Sequence, residues 1–363
     1  MARVAIVAWY PILPNRYGGQ QAVHSMWEVA AVQNVAYCIG PSNGKNLPIP
    51  ENYLPLFTGS KRDLISIRTF RSLGKIIRDK KIDVVIIEHP YLAWMCWLLQ
   101  FFQPIKWGIH AHNIEWERFK NHGANGWRLL KLYEGWAFKQ AHFSIWLNAI
   151  ERDWALQSWK IDLSKTIHLL PLMSSKTFIG SAKEEICKRH EIATTSTIVL
   201  FSGTLDYFPN AKAVEMIYSV IAPSLAFKKE VQFLITGRLQ KREYEYLKKL
   251  HHPQVHFIGE VVDVDLYMQA ADVFIIPILD SSGVKLKLLQ ALSNHTPVIA
   301  FKSAANGLPM ELLENPVRLI EDGNTDAFAQ AIITAPQKPV ELDIQFWKKM
   351  SPEYQSEQLS AII

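Results

Sequence analysis

The stretch DSSGVKLKLLQALSNHTPVIAF, residues 280–301, joins a polar turn to an apolar, helix-like run. The first two charges of that run, Lys285 and Lys287, are both positive. A helix N-terminus carries a partial positive charge and favours acids. Two lysines there are unfavourable in an empty site and favourable beside an anion, and free first-turn amides bind phosphate for the same reason. Ser281 or Ser282 can cap such a helix, and Gly283 leaves room for close approach to its first amides. The competing reading is a solvated lysine pair on a surface helix. Leu286, Leu288, Leu289 and Leu292 make the helix mostly buried and count against it. The acids of DVD, 263–265, have the spacing of a metal-binding pair, but they open a helix after an apolar strand, where Asp is a common N-cap. No other His/Asp/Glu cluster has convincing ligand spacing, so no metal is expected. The chain lacks a P-loop, a G-x-S-x-G elbow and a G-x-G-x-x-G turn, which counts against NTPase, hydrolase and dehydrogenase chemistry.

The elements around these residues alternate between short apolar runs and amphipathic helices. Strands are expected at 3–9, 34–40, 83–89, 105–111 and 142–148, with helices at 64–80, 91–102 and 126–141. A second set of strands follows at 197–203, 231–237, 255–261, 272–278 and 297–301. Its helices are expected at 210–227, 241–251, 264–270 and 283–294. Continuous apolar strands joined through helices imply α/β architecture with parallel sheets covered on both faces. Residues 172–185 read as a linker between two doubly wound domains, 1–172 and 173–340, with ligands at the C-terminal ends of the strands.

The 363 residues are 49% hydrophobic and 20% charged, the balance of a folded soluble protein. Cys38, Cys96 and Cys187 form no CxxC pair, which suits a reducing cytosol rather than a disulfide framework. MARVAIVAWYPILP reads as a first buried strand, not a signal peptide. YLAWMCWLLQFF, 91–102, is too short to span a bilayer. The net charge of +5 is uneven: residues 1–170 carry 20 Lys+Arg against 12 Asp+Glu, and 11 of the 12 tryptophans precede residue 160. A basic, aromatic front half and a near-neutral rear half point to different partners.

Ser282, Gly283, Lys285 and Lys287 resemble the donor-binding signature of GT-B glycosyltransferases, in particular a subgroup of retaining family 4 that reads roughly GSG-[TV]-[RK]-L-K-x-L-E-A. FSGTLDYFPNAKAV (201–214), ITGR (235–238) and VHFIGEVVDVDLYMQAADVFIIPI (255–278) follow that subgroup's order. HAHNIEWER (110–118) is similar to its H-N-[VI]-E segment, and the C-terminal run resembles a closing helix, 341–363, that crosses back to the first domain. The resemblance implies a metal-independent hexosyltransferase-like enzyme with two Rossmann-like domains. Its co-substrate would be a UDP- or GDP-linked sugar, with no further cofactor, and its acceptor a sugar or a lipid-linked sugar. It implies catalytic roles for His112, Lys285 and Lys287. It places Gly203, Thr204, Arg238, Gly259, Glu260, Val261, Ser282, Gly283, Val284 and Gln290 at the donor, and Gly18, Gly19, Asn113 and Glu115 on the acceptor side. Glu115 can instead make a helix-start contact, and Arg238 can be a plain surface residue.

Departures from the family pattern are specific. The paired glutamates, eight residues apart, fall on Ser282 and Gln290; the glutamate before Gly-Leu falls on Asn306; Asn294-His295 replaces a small residue and glycine. Glutamine keeps one acceptor and adds a donor, so a ribose contact weakens rather than vanishes. Loss of two acids makes the donor site more positive, which suits an anionic donor such as a uronic acid. The same losses support a second reading, a nucleotide-sugar-binding pseudoenzyme or partner subunit. A third is a different chemistry on the same fold, such as nucleotide-sugar epimerisation.

Residues 61–83 carry eight basic and three acidic side chains, with Arg68, Arg71, Lys75 and Arg78 on one helical side and Phe70, Leu73 and Ile77 opposite. Such a helix fits an anionic membrane surface or a core-packed helix with a solvated basic face. The expected location is cytoplasmic, peripheral on the inner membrane face. No nucleic-acid motif accompanies the basic half.

Overall fold

A computed structural model describes residues 1–13, 18–42, 50–121, 123–279, 283–308, 316–335 and 338–363. Ser281 and Ser282, expected at the helix cap and the donor, lie outside the described residues. The chain forms two compact units, Met1–Leu172 with Lys348–Ile363, and Met173–Trp347.

The first unit is built on a seven-stranded parallel sheet. Its strands are β1 (Arg3–Val7), β2 (Val35–Pro41), β3 (Tyr53–Phe57), β4 (Val84–Glu88), β5 (Lys106–Ala111), β6 (Phe143–Trp146) and β7 (Thr166–His168). Spatial order is β3-β2-β1-β4-β5-β6-β7, so the winding reverses between β1 and β4. Both faces are covered: Val4 and Ile6 of β1 enter one core with Cys38, Ile86 and Phe143, while Ala5 and Val7 enter the other with Trp107, Phe138 and Trp146. That alternation is the pleat of a strand buried on both sides. The helices are α1 (Gly18–Gln33), α2 (Ile67–Lys80), α3 (Ala93–Leu99), α4 (Glu115–Asn121), α5 (Trp127–Gln140) and α6 (Ala149–Trp159). The Ser66 hydroxyl caps α2 by accepting from the Thr69 N–H.

The second unit repeats the design with β8 (Thr197–Ser202), β9 (Val231–Thr236), β10 (Val255–Gly259), β11 (Val273–Ile276), β12 (Val298–Phe301) and β13 (Val317–Ile320), ordered β10-β9-β8-β11-β12-β13. Its helices are α7 (Ala182–Arg189), α8 (Phe208–Met216), α9 (Ala222–Ser224), α10 (Val264–Ala270), α11 (Leu286–Ser293) and α12 (Thr325–Ile333). Next come α13 (Ile344–Lys349) and α14 (Pro352–Ser360), the latter packed against α1 of the first unit. Its Gln355 amide donates to the Leu170 carbonyl, and Leu359 joins the α1-side core.

Several boundaries differ from expectation. The helix expected over 283–294 starts only at Leu286, because Gly283 has φ +63° and Lys285 (φ −83°, ψ 84°) is not helical. Residues 242–249 form 3₁₀ turns rather than a regular helix. Residues 210–227 divide into α8, a π turn at Ile217–Ile221 and α9, with Pro223 in the last turn. The last residues of the expected linker belong to α7.

Candidate functional site

In an open parallel sheet, ligands bind beyond the carboxyl ends of the strands, where the winding reverses. In the second unit that point lies between β8 and β11, and the residues expected to hold the donor gather there. Gly203 follows β8 directly. A Cβ on it would sit 2.6 Å from Lys287 Nζ and 2.9 Å from Asn210 Nδ2, so any side chain there would push both of those side-chain ends aside. Lys287 Nζ donates to Asn210 Oδ1 at 2.8 Å and lies 4.8 Å from the centre of the Phe201 ring. The Asn210 amide in turn donates to the Thr204 carbonyl at 2.8 Å. Gly237 (φ +145°) faces the Gly203 carbonyl so closely that a Cβ would lie 1.8 Å from it. Among the described residues no acid pairs with Lys287. Burial, reinforced by Lys285, pushes its ammonium down to about 7.

Lys285 is the N-cap residue of α11, makes no side-chain cap, and reaches the Gly283 carbonyl at 3.4 Å. The first turn of α11 holds no acid. Arg238 is engaged by its own loop: it donates to Gln240 Oε1 at 3.1 Å and approaches Asp206 at 3.9 Å. Gly259 (φ +80°) ends β10, and its carbonyl accepts from the Gly237 N–H. Glu260 is exposed, while Val261 and Val284 are half-buried. Asp263 caps α10 by accepting from the Leu266 N–H, the role read from the sequence. The departures Gln290 and Asn294 prove to be joined: both amides donate to Asp265 Oδ1, at 3.0 and 2.9 Å.

The first unit concentrates buried charge at its own reversal point. Glu88 ends β4, and the β4/β5 register sets it beside His110. His110 Nδ1 lies 2.9 Å and His112 Nε2 2.6 Å from Glu88 Oε2. Burial disfavours charge on Glu88, but the two imidazoles outweigh it and hold the carboxyl at about 2. The next residue, His89, has φ 65° and ψ 162°. Such a backbone costs ~1–3 kcal/mol outside glycine and collects at functional sites. Its Nδ1 lies 2.9 Å from Glu115 Oε1 without hydrogen-bond alignment. Glu115 is fully buried and bound by Tyr91 and Arg118. Burial resists its ionisation, but His89 and Arg118 hold it well below the usual carboxylate range. Tyr10 Oη, His89 Nδ1, His110 Nε2 and Glu115 Oε1 are all buried without a hydrogen bond.

The helix-start contact considered for Glu115 is made by another residue. Glu134 of α5 accepts from the Glu115 and Trp116 N–H groups at 2.9 and 3.0 Å. Burial and the neighbouring Glu115 and Glu151 raise Glu134 to about 8 against those two bonds. Asn113 is half-buried beside His112; Gly18 and Gly19 open α1. Glu88, His89, Arg118, Asn210 and Asp265 were missed. For Glu88, the apolar run ending in Glu-His ahead of H-x-H was an available signal.

Glu88, His110 and His112 also offer one ligand atom each within 4.8 Å of one another, the donor set a metal takes. A tetrahedral zinc site needs N···O edges of roughly 3.3 Å. The separations of 2.6 and 2.9 Å fit hydrogen bonds instead.

Residues 196–337 match the model of the family described as Glycosyl transferases group 1. A comparison with curated proteins gave no match. Among solved structures, the sucrose-phosphate synthase of Thermosynechococcus elongatus is 17% identical, covering 100% of this chain and 95% of its own, with a TM-score of 0.75. HepE of Anabaena, in complex with UDP and glucose, is 14% identical over 99% of this chain and 95% of its own, at 0.69. WaaG, a glycosyltransferase involved in lipopolysaccharide biosynthesis, is 15% identical over 99% and 94%, at 0.65. The chain thus has the GT-B fold of two Rossmann-like sheets, and its residues 196–337 match the model of the glycosyl transferases group 1 family.

Proposed function

We propose that this protein transfers a sugar from a nucleotide diphosphate sugar to an acceptor hydroxyl with retention of anomeric configuration. The observation that carries the reading is Lys287, which pairs with no acid among the described residues and is held by Asn210 beside Gly203, inside the matched domain. An anion of diphosphate size supplies the missing counter-charge, and Lys285 adds to it. Preorganised cations of this kind stabilise a departing diphosphate more than the bound ground state. The neighbour crystallised with UDP and glucose makes a UDP-sugar the first donor to test. The reading needs no metal and no cofactor besides the co-substrate.

The acceptor we favour is a sugar or lipid-linked sugar of surface polysaccharide or glycolipid synthesis, met at the inner face of a membrane. No described helix is long and apolar enough to cross a bilayer. On the first unit, α3 packs between α2 and α5 through Phe70–Trp94 and Trp97–Trp136 contacts. These helices and their ends expose Ile65, Ile67, Phe101, Phe102, Leu129 and Leu132 together with Arg68, Arg71, Lys75 and Arg128, a mixture suited to anionic headgroups.

One observation favours the pseudoenzyme reading: Gln290 spends its amide N–H on Asp265 and offers a ligand no carboxylate. Calorimetric titration with UDP, GDP, ADP and CMP, followed by turnover of the matching sugar nucleotides with NMR of the product anomer, separates the readings. Base-selective binding with a retained anomer supports transfer; binding without transfer, restored by Gln290→Glu, supports the pseudoenzyme; no binding by a folded sample refutes both.

A further inference from the structure

We propose that Glu88 is a positioning residue: it fixes His112 as the tautomer protonated on Nε2 and so leaves Nδ1 as an acceptor for a substrate hydroxyl. The substrate clause rests on the transferase reading above; the tautomer does not.

The argument is one of valence. An ionised carboxylate accepts hydrogen bonds and donates none. Glu88 is fully buried at the end of β4, and one of its oxygens lies within hydrogen-bond distance of two imidazole nitrogens, His110 Nδ1 and His112 Nε2. Both must donate. His110 lies in β5 and His112 one residue past its end, and both rings reach the same Glu88 oxygen beside them on β4. A second imidazolium would leave a buried positive charge that one carboxylate cannot offset, which is strongly disfavoured. Glu115 is already bound by Arg118 and close to His89. The second nitrogen of His110, Nε2, is buried without a partner. Burial pushes the His112 imidazole below its ordinary value, so that ring is neutral at pH 7.5, with one N–H committed to Glu88 and one lone pair remaining. On His112 it is Nδ1, which has no hydrogen-bond partner among the described residues and is not among the buried unpartnered atoms. A lone pair that reaches solvent at the carboxyl end of a central strand takes a hydroxyl donor; it repels a carbonyl.

The test needs no activity for its first arm. In full-length protein labelled with ¹⁵N-histidine, the His112 signals, assigned by their loss in His112→Asn, should show a proton on Nε2 and a bare Nδ1 at pH 7.5. A proton on Nδ1, or on both nitrogens, overturns the proposal. Glu88→Gln keeps one acceptor oxygen, uncharged, and puts an amide donor where the other oxygen stood, 3.1 Å from His110 Nδ1, so its hold on the two rings weakens. If that variant does not fold, the wild-type spectrum still decides. Added zinc that removes the N–H signals of both rings identifies a metal site and also overturns the proposal. In the kinetic arm, Glu88→Gln should lower kcat for sugar transfer at least tenfold with the Kd for UDP unchanged. An unchanged kcat removes the positioning role. Failure of the wild-type protein to bind any nucleotide refutes the transferase reading and leaves the tautomer result to stand by itself.

Discussion

Lys287 makes nucleotide-sugar binding a proton-linked event. Its ammonium is held at about 7 by burial and by Lys285, and it contacts the Asn210 amide oxygen and the face of the Phe201 ring. The diphosphate of a sugar nucleotide is a doubly substituted anion with no ionisation near neutrality, so it is a cleaner probe than UDP itself. When it binds, it favours the charged lysine and draws a proton from solvent. Between pH 6 and pH 8 the free protein passes from mostly protonated to mostly neutral at this group. The apparent affinity should then fall about tenfold, or ~1.4 kcal/mol. At pH 7, binding should take up about half a proton, read from the dependence of calorimetric enthalpy on buffer ionisation enthalpy. Lys287→Met should abolish the uptake and weaken binding at every pH.

The same variant should stabilise the unliganded fold. A lysine whose folded value lies below its unfolded one makes the unfolded chain bind more protons between about pH 7 and 10, so native stability rises with pH through that window. Removing the group at pH 7 removes that penalty, which is at most ~4 kcal/mol. A higher melting temperature together with lost affinity is the signature of a residue kept for a ligand. Affinity independent of pH, or a Lys287→Met protein that melts earlier and binds as before, would refute the reasoning.

Gly203→Ala should cost at least tenfold in nucleotide affinity by calorimetry, because its Cβ displaces Lys287 and Asn210, and should move the melting temperature by less than about 3 °C. Asp265→Ala strips the shared acceptor from the Gln290 and Asn294 amides and should cost ~1–3 kcal/mol in denaturant titration. It should also reduce discrimination between UDP and 2′-deoxy-UDP. Glu134→Gln offers one oxygen to two backbone N–H groups and should destabilise the protein by ~1–3 kcal/mol at pH 6. Because Glu134 is raised to about 8, the stability it lends the native protein is lost as pH rises through that value, so the gap between wild type and variant should narrow by pH 9.

The central strands were legible because they are buried on both faces and read as unbroken apolar runs, as in IVLF of β8 or VVII of β4. The strands that were missed are edges or near-edges. β3 carries Pro55, which removes a ladder donor; β7 has three residues; β13 pairs only with β12 and alternates with Arg318. The Lys285–Lys287 pair was legible as charge placed against a helix dipole. The Glu88 cluster was not, because its members lie on two strands whose pairing only the fold sets, 22 and 24 residues apart along the chain.

The local backbone separates the two lysines. Lys285 is not inside the helix but at its N-cap, and Lys287 alone stands in the first turn. Relief of the dipole conflict is therefore only partial, and what remains is an ammonium with no acid among the described residues. The substitution at Gln290, farther along α11, reads as an isolated letter like a loss of negative charge, while Asn294, just past its end, stands where a small residue is usual. In the fold both amides grip Asp265 at the start of α10, which Lys176 also approaches at 3.7 Å. An acid has been placed beside the helix instead of on it, within hydrogen-bond reach of the position that lost one. The local charge is then close to what a glutamate at 290 would give, and the case for an unusually anionic donor sugar is left resting on Asn306 alone. A donor panel should show neutral hexoses turning over at least as fast as uronic acids; a preference of tenfold or more for the uronic acid would mean that Asp265 does not act on the donor at all.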